Sequence, residues 1–258
     1  YTTLFRSAEA GIDAGGYVEV ATEFGRCDVV CNIGIYQGSA GRQLVMDTEL
    51  DELVVSFEAD VVAPVLLCRR ALPSMLETGR GTILNMSSSS VFLDPPGTVH
   101  ENGWSFAYVG AKAALDQLAS IVNVELGPRG IRVNTICPGY IETAMTASAP
   151  DAFRVANIAE VPLGRTGTVD EVAPLVVYLI SDESSYVSGA EIPVDGGQSA
   201  HGGTKSLSDA ERAVRAGLQI VTTARPVPAA PGGMRTSALG VNDPGVIVGS
   251  GRSLLWVV

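Results

Sequence analysis

Three observations predict an α/β protein built on a doubly wound parallel sheet. Short β-rich runs recur along the chain: Asp28-Val-Val-Cys31, Thr82-Ile-Leu-Asn-Met86 and Ile131-Arg-Val-Asn-Thr-Ile136. Between them lie longer segments whose apolar residues return at helical spacing. The runs also end in polar or glycine-containing stretches, where open parallel sheets hold their ligands. Strands alternating with helices mean a parallel sheet covered on both faces.

Each helix has its own signal. Leu53, Phe57, Val61 and Val65 recur at every fourth position and predict one buried helix face. Leu115, Leu118, Val122 and Leu126 form a second stripe, stopped by Gly127-Pro128. A third helix begins at Thr168, with Glu171 completing a capping box, and carries Val172, Leu175, Val176 and Leu179 inward.

Composition narrows the partners. The 258 residues are 46% hydrophobic and 17% charged, enough for a sizeable core in one or two domains, and the net charge of -11 repels phosphate backbones and anionic lipid. Nucleic acid and membrane are therefore excluded as expected partners. Apolar runs such as Val61 to Cys68 fall far short of the roughly 20 residues of a membrane span. A cytoplasmic protein is expected. Cys27, Cys31, Cys68 and Cys137 form no Cys-x-x-Cys pair, and His100 and His201 are the only imidazoles, so buried free thiols are expected and no metal centre.

Tyr108-Val-Gly-Ala-Lys112 sets a phenol and an ammonium one helical turn apart on one face. Such pairs are common on solvated helices, so context decides. Upstream, Gly81-Thr-Ile-Leu-Asn-Met-Ser-Ser88 brings hydroxyls to a strand end; downstream, Arg132-Val-Asn-Thr-Ile-Cys-Pro138-Gly139 ends the next strand in a turn. Earlier, Cys31-Asn32-Ile-Gly34 closes a strand with a glycine that admits close backbone approach. In this order, the four motifs resemble the short-chain dehydrogenase/reductase family over about residues 17 to 205. The likeness continues through Pro162-Leu-Gly-Arg165 and Val187-Ser-Gly to Asp195-Gly-Gly197.

The resemblance implies an NAD- or NADP-dependent oxidoreductase, homo-oligomeric through its long helices. It makes Tyr108 the general acid or base, Lys112 its activator and a holder of the nicotinamide ribose, and Ser88 the hydroxyl that orients the reacting oxygen. A phenol with a reference pKa of about 10 is a poor base until a nearby ammonium stabilises its anion. By the same likeness, Asn32 and Gly34 lie towards the adenosine, while Ile141 and Thr143, after the Pro138-Gly139 turn, meet the carboxamide. The segment between Tyr140 and Gly164, rich in small and apolar residues such as Ala144, Met145 and Phe153, covers the substrate. A hydrophobic secondary alcohol or ketone fits it best, whether steroid, 3-oxoacyl or terpenoid.

Three departures from the family pattern stand out. Cys31 replaces an asparagine that ties strands together. Asp60 replaces the asparagine that holds a water in line with the lysine, and a carboxylate there weakens the effect of Lys112 on Tyr108. The 20-residue step from Ser88 to Tyr108 is longer than usual, and its turn-rich insert is expected to overhang the substrate pocket, with His100 and Trp104 as candidate substrate contacts, although an isolated loop histidine is more often merely solvated.

The chain ends are also unusual. Tyr1-Thr-Thr-Leu-Phe-Arg-Ser7 resembles a translated sequencing adapter and is set apart from the fold. Residues 8–205 are then expected to form the family domain with its first βαβ portion, including the glycine-rich phosphate turn, missing. Residues 206–258 read as an atypical tail, disordered or read-through, with a cap at Ser208 and a Pro- and Gly-rich linker from Pro226 to Gly233. Gly249-Ser-Gly251 follows a strand-like run but has no helix after it, a weak phosphate-loop signal. The rival to the enzyme reading is a catalytically inactive fragment that acts as an assembly or binding module.

Overall fold

The structure is a computed structural model that describes residues 25–36, 49–93, 106–149, 151–201, 246–249 and 252–257. Strands β1 (Val29–Asn32), β2 (Gly81–Met86), β3 (Ile131–Pro138) and β6 (Glu191–Val194) are successive parallel neighbours. A short parallel pair, β4 (Ile141–Glu142) with β5 (Gly167–Thr168), stands apart from them. The helices are α1 (Leu50–Phe57), α2 (Ala63–Thr78), α3 (Phe106–Leu126), α4 (Asp151–Glu160) and α5 (Val169–Ile180).

Alternation along the strands puts one helix layer on each face. Val30, Ile83 and Val133 pack with Leu67, Ala71 and Met75 of α2 and with Ala119 and Leu126 of α3. Val29, Cys31, Leu84 and Ile136 face the other way, onto Val172 and Leu179 of α5. This double covering is why the strands are near-continuous apolar runs. All four cysteines are free; Cys31 lies in the second core cluster, 1% exposed, and burial pushes its thiol up to about 12.

The capping box of α5 forms as the sequence predicts, with Thr168 and Glu171 each receiving a backbone N–H. The first predicted helix departs from expectation. A π-helical turn, Glu58–Val62, separates α1 from α2. The extra residue in that turn rotates the following face, so Val61 is buried but Val65 is 38% exposed, and Leu67, Ala71 and Met75 carry the core contact instead. At Gly130 the backbone has φ 77°, and an added Cβ would sit 2.1 Å from the carbonyl oxygen of Gly79, so only glycine fits between α3 and β3.

Two strands from the expected tail join the main sheet. β7 (Val246–Gly249) and β8 (Arg252–Val257) form an antiparallel hairpin, and β8 runs parallel to β1 with Asn32 level with Val257. The sheet order is β6-β3-β2-β1-β8-β7, so β1 is an interior strand. Gly249 pairs with Arg252 at the amino end of β8, the opposite end of the sheet from Met86; Ser250 and Gly251 of the glycine-containing turn lie outside the described residues. The adapter-like segment, the Ser208 cap and the Pro226 linker lie outside the described residues.

Candidate active site at the carboxyl ends of the strands

Lys112 is the centre of the site and one of its most buried side chains, 2% exposed. Its Nζ donates to the carbonyl of Met86 at the end of β2 (3.1 Å) and to that of Gly34 after β1 (3.3 Å). Asp60 Oδ1 is the third partner, at 3.1 Å, with the carboxylate wholly buried. The ion pair thus joins α3, two strand ends and the π-turn. Tyr108, one helical turn earlier, is 5% exposed, and the Lys112 ammonium lies 5.8 Å from its ring centroid.

Asp60 is held by more than the lysine. The backbone N–H of Tyr36 reaches both of its oxygens, at 3.3 and 3.4 Å. Burial pushes its carboxyl up from the ordinary range, against the opposing pull of Lys112. π-turns inside helices are frequent at functional sites.

Ser88 ends the β2 segment in extended backbone and caps a 3₁₀ turn, Ser89–Val91. Its Oγ accepts from the Ser90 N–H (3.2 Å) and the Ser90 hydroxyl (2.9 Å). A hydroxyl has two lone pairs and one hydrogen, so these contacts leave the Ser88 hydrogen to donate. The neighbouring Ser87 hydroxyl donates instead to Asp116 Oδ2 at 2.8 Å. Ser89 Oγ is buried without a hydrogen-bond partner.

Asp116 escaped the sequence reading. It lies one turn beyond Lys112 on the same face of α3, so the spacing that linked Tyr108 to Lys112 could have found it. Only 5% exposed, its carboxyl is pushed up to about 6, chiefly by burial and against the Ser87 hydrogen bond. The other residue missed is Asn85. Asn32 donates to Asn85 Oδ1 at 2.7 Å, cross-linking β1 and β2, and also lies 3.6 Å from Cys68 Sγ. The strand-tying role expected of the position of Cys31 is filled by Asn32, whose amide is thereby occupied internally.

The remaining predicted positions cluster after β3. Pro138 ends that strand, and an added Cβ at Gly139 would lie 2.8 Å from Cα of Asp195, so the turn needs glycine to pass under the Asp195 loop. Ile141 is half-buried in β4, and Thr143 exchanges hydrogen bonds with Thr146, whose hydroxyl donates to the Ile141 carbonyl at 2.7 Å. Past this turn, Tyr140 and Phe153 meet edge to face at 5.9 Å, while Met145, Val155 and Leu163 are exposed. His100 and Trp104 lie outside the described residues. A cavity of about 400 Å³ bordered by Asp28, Arg80, Arg132 and Tyr186 opens at the amino ends of β1 to β3, away from this chemistry.

A parallel sheet with helices on both faces, and a buried Tyr-Lys pair at its carboxyl edge, defines a doubly wound α/β protein with a candidate proton-transfer site. A sequence profile described as Enoyl-(Acyl carrier protein) reductase matches residues 15–199. Meso-2,3-butanediol dehydrogenase of Serratia marcescens is 33% identical over 191 residues, 73% of this chain and 71% of that protein. The 3-oxoacyl-(acyl-carrier-protein) reductase FabG of Thermotoga maritima is 36% identical over 179 residues, 69% of each. Among solved structures, a short-chain dehydrogenase/reductase from Burkholderia xenovorans superposes with TM-score 0.64 at 27% identity, covering 76% of this chain and 71% of that one. The chain belongs to the short-chain dehydrogenase/reductase family. It spans from 53% to 71% of the length of the first relatives it matches.

Proposed function

We propose that this chain is an NAD- or NADP-dependent oxidoreductase that interconverts a hydrophobic secondary alcohol and its ketone. The observation that carries the reading is the buried Tyr108–Lys112 pair, whose ammonium bonds the Met86 carbonyl two residues before Ser88, a serine whose hydroxyl hydrogen is available. Butanediol dehydrogenase and 3-oxoacyl reductase, the relatives named above, act by their names on alcohols and ketones.

The donor set suits the nicotinamide half of a dinucleotide. The backbone after Gly139, Ile141 and Thr143 would hold it, with Asn32 and Gly34 towards the adenosine side; Lys112, expected to bind the ribose, gives its three N–H bonds to Asp60, Met86 and Gly34 instead. When bound, the nicotinamide would supply or accept the hydride. Ser88 would donate its hydrogen to the substrate oxygen and fix its position. Tyr108 would give a proton to that oxygen during reduction and take it back during oxidation. Asp116 holds the Ser87 hydroxyl, keeping the segment that bears Ser88 in register with α3. The exposed Met145, Val155 and Leu163 would contact an apolar substrate.

We extend the proposal to a cytoplasmic homo-oligomer. Among the described residues no helix is long and apolar enough to cross a membrane, and Leu50, Phe106, Ile121 and Val124 on α1 and α3 are exposed apolar groups suited to a subunit interface. The deciding experiment is ketone-dependent oxidation of NADH and NADPH by the purified chain and by Tyr108→Phe. Loss of turnover by at least about 100-fold, with nicotinamide binding retained, is expected; full activity in the variant overturns the reading.

A further inference from the structure

Lys112 has three N–H bonds to give, and each has an acceptor inside the chain: Asp60 Oδ1, the Met86 carbonyl and the Gly34 carbonyl. Both members of the ion pair are closed to solvent, with side chains 2% and 0% exposed. The ammonium beside the Tyr108 ring is therefore already matched by an anion at 3.1 Å. Seen from Tyr108, such a pair presents a dipole in place of a full positive charge. A phenolate gains much less from a dipole than from an unmatched cation.

Among the described residues, the elements packed around the pair add no buried substitute cation. Of the titratable groups on the packed elements, Asp51 on α1 is exposed, and Glu52 on α1 and Glu58 in the π-turn are half-buried. Arg69 and Arg70 of α2 are both exposed, as is Glu77. Tyr36 contributes its backbone N–H to Asp60, Cys68 lies half-buried on α2, and Asp116 is the further acidic group on the buried face of α3, with Glu125 exposed near its end. The balance of these charges is acidic, which opposes ionisation of a phenol.

We infer that Asp60 is a positioning residue that neutralises Lys112 as felt by Tyr108, keeps the phenol protonated through neutral pH, and so sets the site to reduce carbonyls. The base role in alcohol oxidation is confined to alkaline pH. In the reduction, the carbonyl carbon gains a hydride from a reduced nicotinamide and the C=O π bond opens. The oxygen gains the Tyr108 proton, and the phenolate left behind recovers a proton from water. The substrate side of this inference rests on the function proposed above; its electrostatic side does not.

The test separates the two. Tyrosine ring-labelled chain is titrated by ¹³C NMR without substrate or cofactor, the Tyr108 resonance being assigned by its loss in Tyr108→Phe. In Asp60→Asn, which keeps an oxygen acceptor for Lys112 but removes the charge, the Tyr108 midpoint should fall by about one pH unit. Asp60→Glu should restore it. Lys112→Met provides a second arm: the carboxyl of Asp60 then holds a proton, no charge is gained or lost near the phenol, and the midpoint should move by less than about half a unit. A midpoint unmoved in Asp60→Asn, or raised by a full unit or more in Lys112→Met, overturns the inference. If Asp60→Asn does not fold, the Lys112→Met result decides alone. Turnover is then read separately: the ratio of ketone reduction to alcohol oxidation at neutral pH should fall in Asp60→Asn. Absence of turnover in the parent chain, with the titration as expected, refutes the oxidoreductase reading and leaves the Asp60 effect standing.

Discussion

Two ion pairs in this molecule look alike by distance and differ in everything else. Arg165 and Glu171 meet at 2.6 Å with both side chains about half exposed, 50% and 44%. Lys112 and Asp60 meet at 3.1 Å with both sealed from water. The surface pair is a screened contact whose loss exchanges it for hydration, and such pairs contribute about 0 to 1 kcal/mol. The interior pair has no hydration to return to, so each charge depends on the other. Separation alone is a poor guide to importance; the decisive quantity is what each group would face without its partner.

The sharpest break in that comparison is Asp60→Ala. Leaving the Lys112 ammonium buried without its anion should cost about 3 to 5 kcal/mol in urea unfolding, whereas Arg165→Ala should cost no more than about 1 kcal/mol. Adding Lys112→Met to Asp60→Ala should recover part of the loss, because the orphaned charge disappears; strict additivity in this double-mutant cycle would refute the coupling.

Asp116 offers a smaller effect with a defined pH window. Its folded carboxyl is pushed up to about 6, above the reference value of about 3.9 for an unfolded aspartate. Between those values the folded chain keeps a proton that the unfolded chain has released, so stability falls as pH rises from about 4 to 6. Urea midpoints of wild type and Asp116→Asn should therefore diverge across that window, with the wild type losing ground. Parallel curves would show that Asp116 is already ionised throughout.

The smallest effect belongs to Glu171, whose carboxyl the Arg165 guanidinium and the Thr168 backbone N–H hold down to about 2. Here the sign reverses: its contribution is present above the unfolded value of about 4.3 and is lost as pH falls towards 2. Because the pair is half exposed, the difference between wild type and Glu171→Gln should stay within about 1 kcal/mol at neutral pH and shrink on acidification. A larger loss would mean that the α5 cap carries more of the fold than an exposed contact does.

The parts that were legible in the sequence share a local cause. Strands β1 to β3 announce themselves as unbroken apolar runs because both faces of the sheet are covered, and the α5 cap is a contact between residues three apart. Tyr108 and Lys112 were found together because a helix turn fixes their spacing. The π-turn was not legible: its period differs from an α-helix by one residue in five positions, and Val61 and Val65 fit either register until the sheet selects one. Asn32 likewise gave no sign of its partner, since Asn85 lies 53 residues away and meets it only through strand pairing.

By itself the sequence determined the elements, their alternation, and which side chains could carry proton chemistry, because these follow from spacing within a turn or a strand. Only the tertiary structure decided that β8 runs beside β1, that the Ser88 hydrogen is free while that of Ser87 is engaged, and that all three protons of Lys112 point inward to Asp60, Gly34 and Met86. Those outcomes depend on groups brought together from distant parts of the chain, and on burial that makes each unmatched charge or lone pair costly.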